Sequence, residues 1–138
     1  MKICSGIDLV YIPRFKKVID KNGPVNMDNP FIKRVFNLEE IEQIIKRNDP
    51  YPGLAGRFAA KEAVIKALSS IKKISELKSI IIEGEIPVVK IRETLKKELE
   101  IKDDPEKLNY EQLNDLNISV SISHDGDYAT AVSCLLYP

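Results

Sequence analysis

The stretch Leu54-Ala55-Gly56-Arg57-Phe58-Ala59-Ala60-Lys61-Glu62-Ala63-Val64-Ile65-Lys66-Ala67-Leu68 decides how this chain folds. It is rich in alanine, free of proline and without glycine after Gly56, so it predicts a helix over 54–69 or slightly beyond. At about 100° per residue, Leu54, Phe58, Val64, Ile65 and Leu68 fall on one apolar arc. The opposite arc is not charged, as on a surface helix, but made of Ala55, Ala59, Ala60, Ala63 and Ala67. A helix of this kind is buried nearly all round. Yet it carries Arg57, Lys61, Glu62 and Lys66, and buried charge is costly unless a partner or ligand compensates it. Arg57 and Lys61 stand four apart, a like-charge spacing that a phosphate between them would turn favourable. Glu62 and Lys66 have the spacing of an ordinary helix ion pair, and taken alone they read as readily that way. As a set, the four charges point to an anionic ligand.

Outward from the helix, residues 3–10 read as a strand, with Ile3, Ser5, Ile7 and Leu9 on one side and Cys4, Gly6, Asp8 and Val10 on the other. Asp8 could simply cap the strand end. Together with Glu62 it offers two oxygen donors for Mg²⁺, which typically takes one or two carboxylates and fills its shell with water and substrate phosphates. Pro13 opens a helix through Arg14, Phe15, Val18 and Ile19 that Lys21-Asn22-Gly23-Pro24 breaks. A further helical pattern starts at Phe31, and Asn37 is placed to cap a helix over 38–46. Residues 80–82 and 88–91 form strands joined as a hairpin or by a change of sheet. Residues 92–100 predict an exposed helix, and the charged stretch 102–115 predicts a surface insertion. Ile118, Val120 and Ile122 alternate with serines up to His124-Asp125-Gly126-Asp127, then Tyr128 begins a returning strand. This terminal hairpin puts His124 at its turn, as a candidate donor to an anion or a hydroxyl.

Length and composition narrow the classes. A chain of 138 residues suits one domain, and at this size a core forms without disulfides or metal. Twenty-one Lys and Arg balance 21 Asp and Glu, which excludes a general basic field for nucleic acid or membrane and leaves only local clusters. Cys4 and Cys134 are expected to be reduced thiols, neighbours if the terminal strands pair. The single histidine and the lack of Cys-x-x-Cys exclude an ordinary zinc site. No signal-peptide core or membrane-length apolar run is visible, so the expected location is the cytoplasm. Walker A, dinucleotide-binding and Gly-x-Ser-x-Gly motifs are absent.

Three segments together resemble the holo-acyl-carrier-protein synthase group of phosphopantetheinyl transferases. They are Gly6-Ile7-Asp8 through Arg14-Phe15, then Gly56-Arg57-Phe58-Ala59-Ala60-Lys61-Glu62-Ala63 with Lys66-Ala67-Leu68, then Ser121-Ile122-Ser123-His124 with Tyr128-Ala129. Phe31-Ile32-Lys33-Arg34-Val35-Phe36 followed by Glu39 or Glu40 is similar to the stretch between the first two. The resemblance implies a small single α+β domain over residues 1–138, a mainly antiparallel sheet around a long buried helix, with 92–117 an atypical insertion. It implies transfer of 4′-phosphopantetheine from coenzyme A to a serine of apo acyl carrier protein in fatty-acid synthesis, releasing adenosine 3′,5′-bisphosphate. Asp8 and Glu62 would hold Mg²⁺, and Lys66 would stabilise charge at the phosphoryl centre. Arg57, Lys61, Lys66, Ser123 and His124 would bind coenzyme A, and Arg14 would face the acidic carrier protein. The serine proton would pass to Glu62 or to a metal-bound water near Asp8. The family's short members are homotrimers with active sites between subunits. Ser69-Ser70-Ile71 replaces the family's glycine-threonine-glycine and Gly84-Glu85-Ile86-Pro87 its Gly-Lys-Pro turn, which leaves a catalytically silent coenzyme A or carrier-protein binding module as the competing reading.

Overall fold

A computed structural model describes residues 1–71, 74, 76–99 and 116–137. In chain order it runs β1 (Lys2–Tyr11), α1 (Ile12–Lys21), α2 (Pro30–Val35), α3 (Leu38–Ile41), α4 (Tyr51–Leu68), a 3₁₀ turn (Leu77–Ser79), β2 (Ile80–Glu83), β3 (Val88–Ile91), α5 (Glu93–Leu99), β4 (Asn117–Asp125) and β5 (Tyr128–Tyr137). The terminal strands meet: an antiparallel sheet has the order β1-β5-β4, and β2 and β3 form a separate antiparallel pair. α4 lies across the inner face of the first sheet and fills the middle of this α+β domain.

The period of two along the strands decides what meets α4. Gly6 and Val10 of β1 and Ala129, Ala131, Ser133 and Leu135 of β5 are buried against it. Small residues on both sides let the backbones come close. A Cβ on Gly6 would lie 2.0 Å from the Ala63 carbonyl oxygen, so only glycine fits there. On the helix, Leu54, Ala55, Ala59, Ala60, Ala63, Val64, Ala67 and Leu68 are all buried, as the double apolar arc predicts. α4 begins three residues earlier than its pattern predicts, because Pro52 sits in the first turn, where its missing N–H breaks no helix bond.

Two elements differ from their sequence reading. Residues 38–46 were expected as one helix, but only α3 is helical, and Ile44 N then bonds Ile41 O at 2.9 Å and Arg47 N bonds Ile44 O at 3.1 Å, the i→i−3 pattern of successive turns. Ile41 and Ile44 reach the core through those turns. The helix expected over 92–100 exists as α5, but it is not an exposed one: Leu95 and Leu99, four apart, are buried in the core. The stretch 102–115 expected as an insertion lies outside the described residues. Cys4 and Cys134 are free thiols on neighbouring strands but opposite faces, since Cys4 pairs with Leu135 and Ser5 with Cys134. No helix among the described residues is long and apolar enough to cross a membrane.

Candidate active site

The close packing at Gly6 turns Asp8, two residues on, toward α4. There Lys66 Nζ donates to Asp8 Oδ1 at 3.0 Å and to the Ile7 carbonyl at 2.8 Å. The helix ion pair that the Glu62 and Lys66 spacing allows is not made, because Lys66 reaches across to β1 instead. Glu62 and Asp8 line one cleft of about 430 Å³, with Arg14 at its edge and Phe15, Phe31 and Phe58 along its wall. Burial raises the pKa of the Glu62 carboxyl, Asp8's negative charge raises it further, and Lys66 counters in part. An ionised Glu62 is therefore compensated only in part, by Lys66. The donor set fits a hard divalent cation: two carboxylates that repel each other, open to a cleft with room for water and phosphate oxygens.

Arg57 and His124 meet in a second cleft of about 440 Å³, with Arg47, Gly53, Gly56, Pro87 and Ser121. Arg57 Nη2 donates to the Gly84 carbonyl, while Arg57 Nη1 is buried with no hydrogen-bond partner. Burial lowers the guanidinium's pKa, Glu40 opposes this, and Arg47's like charge adds to it. With Arg47 and His124 in the same lining, Arg57 gives this cleft the character of a candidate anion subsite. Arg47 carries no periodic signal in the sequence, and only the turn after Ile44 brings it here. Ser123, on the same face of β4 as Ser121, does not line this cleft.

Lys61 does not reach either cleft. Its side chain is fully buried, and Nζ donates to Glu40 Oε1 at 2.8 Å and Oε2 at 2.6 Å. The phosphate role expected of Lys61, and of a phosphate bridging it to Arg57, is corrected accordingly: the charge that looked uncompensated has a protein partner 21 residues upstream. Sequence alone could not pair the two, because nothing in local spacing links α3 to α4. Ser69 and Ser70, standing in place of the family's glycine-threonine-glycine, bond back to the Ile65 and Ala67 carbonyls at 2.7 Å each.

The two clefts share no residue, so one chain holds the carboxylates and the anion subsite apart.

A profile of the 4′-phosphopantetheinyl transferase superfamily matches residues 5–133. The chain is 38% identical over 128 residues to a holo-[acyl-carrier-protein] synthase of Leptospira biflexa, covering 92% of this chain and 91% of that protein. It is 33% identical over 133 residues to one of Clostridium tetani, covering 94% and 92%. Among solved structures, it resembles the "Chronobacterium ammoniagenes ACPS-CoA complex" with a TM-score of 0.77 and 29% identity, covering 100% of this chain and 99% of that one. It also resembles the Helicobacter pylori holo-[acyl-carrier-protein] synthase in complex with coenzyme A, at a TM-score of 0.67 and 25% identity, covering 97% and 99%.

Proposed function

This chain belongs to the 4′-phosphopantetheinyl transferase superfamily, and from that membership we propose that it is a Mg²⁺-dependent holo-acyl-carrier-protein synthase of the cytoplasm. It transfers 4′-phosphopantetheine from coenzyme A to a serine hydroxyl of apo acyl carrier protein, leaving adenosine 3′,5′-bisphosphate, and so primes the carrier for fatty-acid synthesis. The observation that carries the site is the carboxylate cleft, where Glu62 is held above its ordinary pKa by burial and by Asp8.

Asp8 and Glu62 would hold Mg²⁺, which would supply Lewis acidity at the pyrophosphate. Lys66 Nζ, beside Asp8 and half exposed, stabilises negative charge that develops on the transferred phosphoryl group. The serine proton goes to Glu62 or to a water held beside Asp8. The unpartnered Arg57 Nη1 and His124 bind phosphates of coenzyme A. Arg14, exposed at the cleft's edge, faces the acidic carrier protein.

The family resemblance makes the active unit a homotrimer with active sites between subunits, and the separate linings of the two clefts are compatible with one subunit's carboxylates working with a neighbour's Arg57 and His124. The outer face of the sheet supports this, with Ile3 75%, Ile7 65%, Leu9 62% and Val132 40% exposed on it. The test is intact-mass analysis of apo acyl carrier protein with this protein, coenzyme A and Mg²⁺, against an EDTA control. A metal-dependent gain of one phosphopantetheine is expected. Coenzyme A binding without transfer would replace the enzyme with a silent binding module.

A further inference from the structure

We propose that the buried Glu40–Lys61 pair is a positioning device, which hangs the β2–β3 hairpin on α4 and thereby sets one wall of the anion cleft. The consequence for coenzyme A rests on the reading of that cleft as its site. Both side chains are 0% exposed. Glu40 Oε1 accepts from Lys61 Nζ at 2.8 Å and from Ile82 N at 2.8 Å. Oε2 accepts from Lys61 Nζ at 2.6 Å, Asn37 N at 2.7 Å and Asn37 Nδ2 at 3.0 Å. Asn37 continues the clamp at the base of the hairpin: its Nδ2 donates to the Lys78 carbonyl at 2.9 Å, and its Oδ1 accepts from Arg92. One carboxylate thus ties α4 to α3, to β2 and to the residues on either side of the hairpin.

A buried ion pair is weak evidence for stability, because well-packed apolar residues serve a core as well. Its hydrogen bonds are directional, and apolar packing is not. Which partner moves when the pair is lost follows from what else holds each. α4 is fixed independently by the close approach at Gly6 and Ala63 and by the three-stranded sheet. The hairpin forms no ladder with that sheet: Ile80 and Ile82 pack into the core without direction, and its directional ties to α4 run through Glu40 to Ile82 N and through Arg57 to the Gly84 carbonyl. The hairpin therefore moves. Its Glu85 and Pro87 line the anion cleft, so coenzyme A binding is affected and the carboxylate cleft is not.

The experiment uses Lys61→Met and the double variant Glu40→Leu with Lys61→Met, which fills the volume without charge and keeps the question open to test if the single variant does not fold. Steady-state transfer is read beside hydrogen exchange of the ligand-free protein. In the folded variants, KM for coenzyme A is expected to rise about tenfold with kcat within about threefold, the scale on which supporting residues act. Amides of 80–91 should lose protection while those of 59–68 keep it. A loss of core stability alone lowers the active fraction, which reduces kcat and leaves KM unchanged. Unchanged KM in a folded variant, or equal loss of protection in hairpin and helix, overturns the proposal. Failure of the wild type to bind coenzyme A would sink the functional reading, and the exchange pattern would still decide whether the pair anchors the hairpin.

Discussion

Glu62 carries the sharpest consequence at the scale of one residue. Its carboxyl gains a proton more readily in the fold than in the unfolded chain, because burial and Asp8 both raise its pKa. The stability this gives is fully present below the ordinary carboxylate value and is lost as pH rises through the raised one. Ionised Glu62 thus works against the fold near neutrality. Glu62→Gln is neutral throughout, so its Tm is expected above wild type at neutral pH, with the gap closing toward about pH 4. Mg²⁺ should raise the wild-type Tm and not that of the variant, whose transfer should fall about a hundredfold or more. Melts across pH with and without Mg²⁺ check this, and an identical Mg²⁺ response in both proteins would remove Glu62 from the metal site. Lys61, in the same turn of helix, shows the limit of reading charge from sequence. Its burial lowers its pKa, yet Glu40's charge and hydrogen bonds oppose that, and the partner arrives from another element.

Between elements, the contact of β1 with α4 makes the site possible. Glycine on the strand and alanine on the helix remove side-chain volume at the crossing, and Asp8 reaches Lys66 because of it. Gly6→Ala would place a methyl 2.0 Å from the Ala63 carbonyl oxygen, a backbone atom with little room to yield. We expect a loss of stability of about 1–3 kcal/mol or more, the range for overpacking, and a loss of transfer in the protein that remains folded. Urea unfolding monitored beside activity tests both. A variant with wild-type midpoint and turnover would mean that the crossing can relax. α4 was legible in sequence because its composition and period act locally. The turns after α3 were not, since the packing of Ile44 and the bonds of Glu40 come from distant residues. α5 was legible as a helix but not as a buried one, because Leu95 and Leu99 alone do not tell which surface will cover them.

For the whole molecule, the outer face of the β1-β5-β4 sheet is where a homotrimer would close. Ile7→Lys sets a charge on that face, and its side chain points away from α4, so the subunit fold should survive. Light scattering is expected to show monomers in place of trimers, and transfer should fall about tenfold or more, since each active centre would lose its neighbour's anion subsite. A fully active monomer would instead mean that a single chain brings both clefts to one substrate. The sequence by itself determined the helix at the centre, the strands at both termini, the carboxylate pair of Asp8 and Glu62 and the family resemblance. The helix and the strands rest on short-range periodicity, while the carboxylate pair, far apart in the chain, and the resemblance rest on residue types in separate short motifs. Only the tertiary structure decided that Lys66 pairs with Asp8, that Lys61 is neutralised by Glu40, that Arg47 joins Arg57, and that Arg57 and His124 line one cleft and Asp8 and Glu62 another. Those outcomes depend on which side chains the packing of the sheet against α4 brings within a few ångströms, and charge reaches its partner through space and not along the chain.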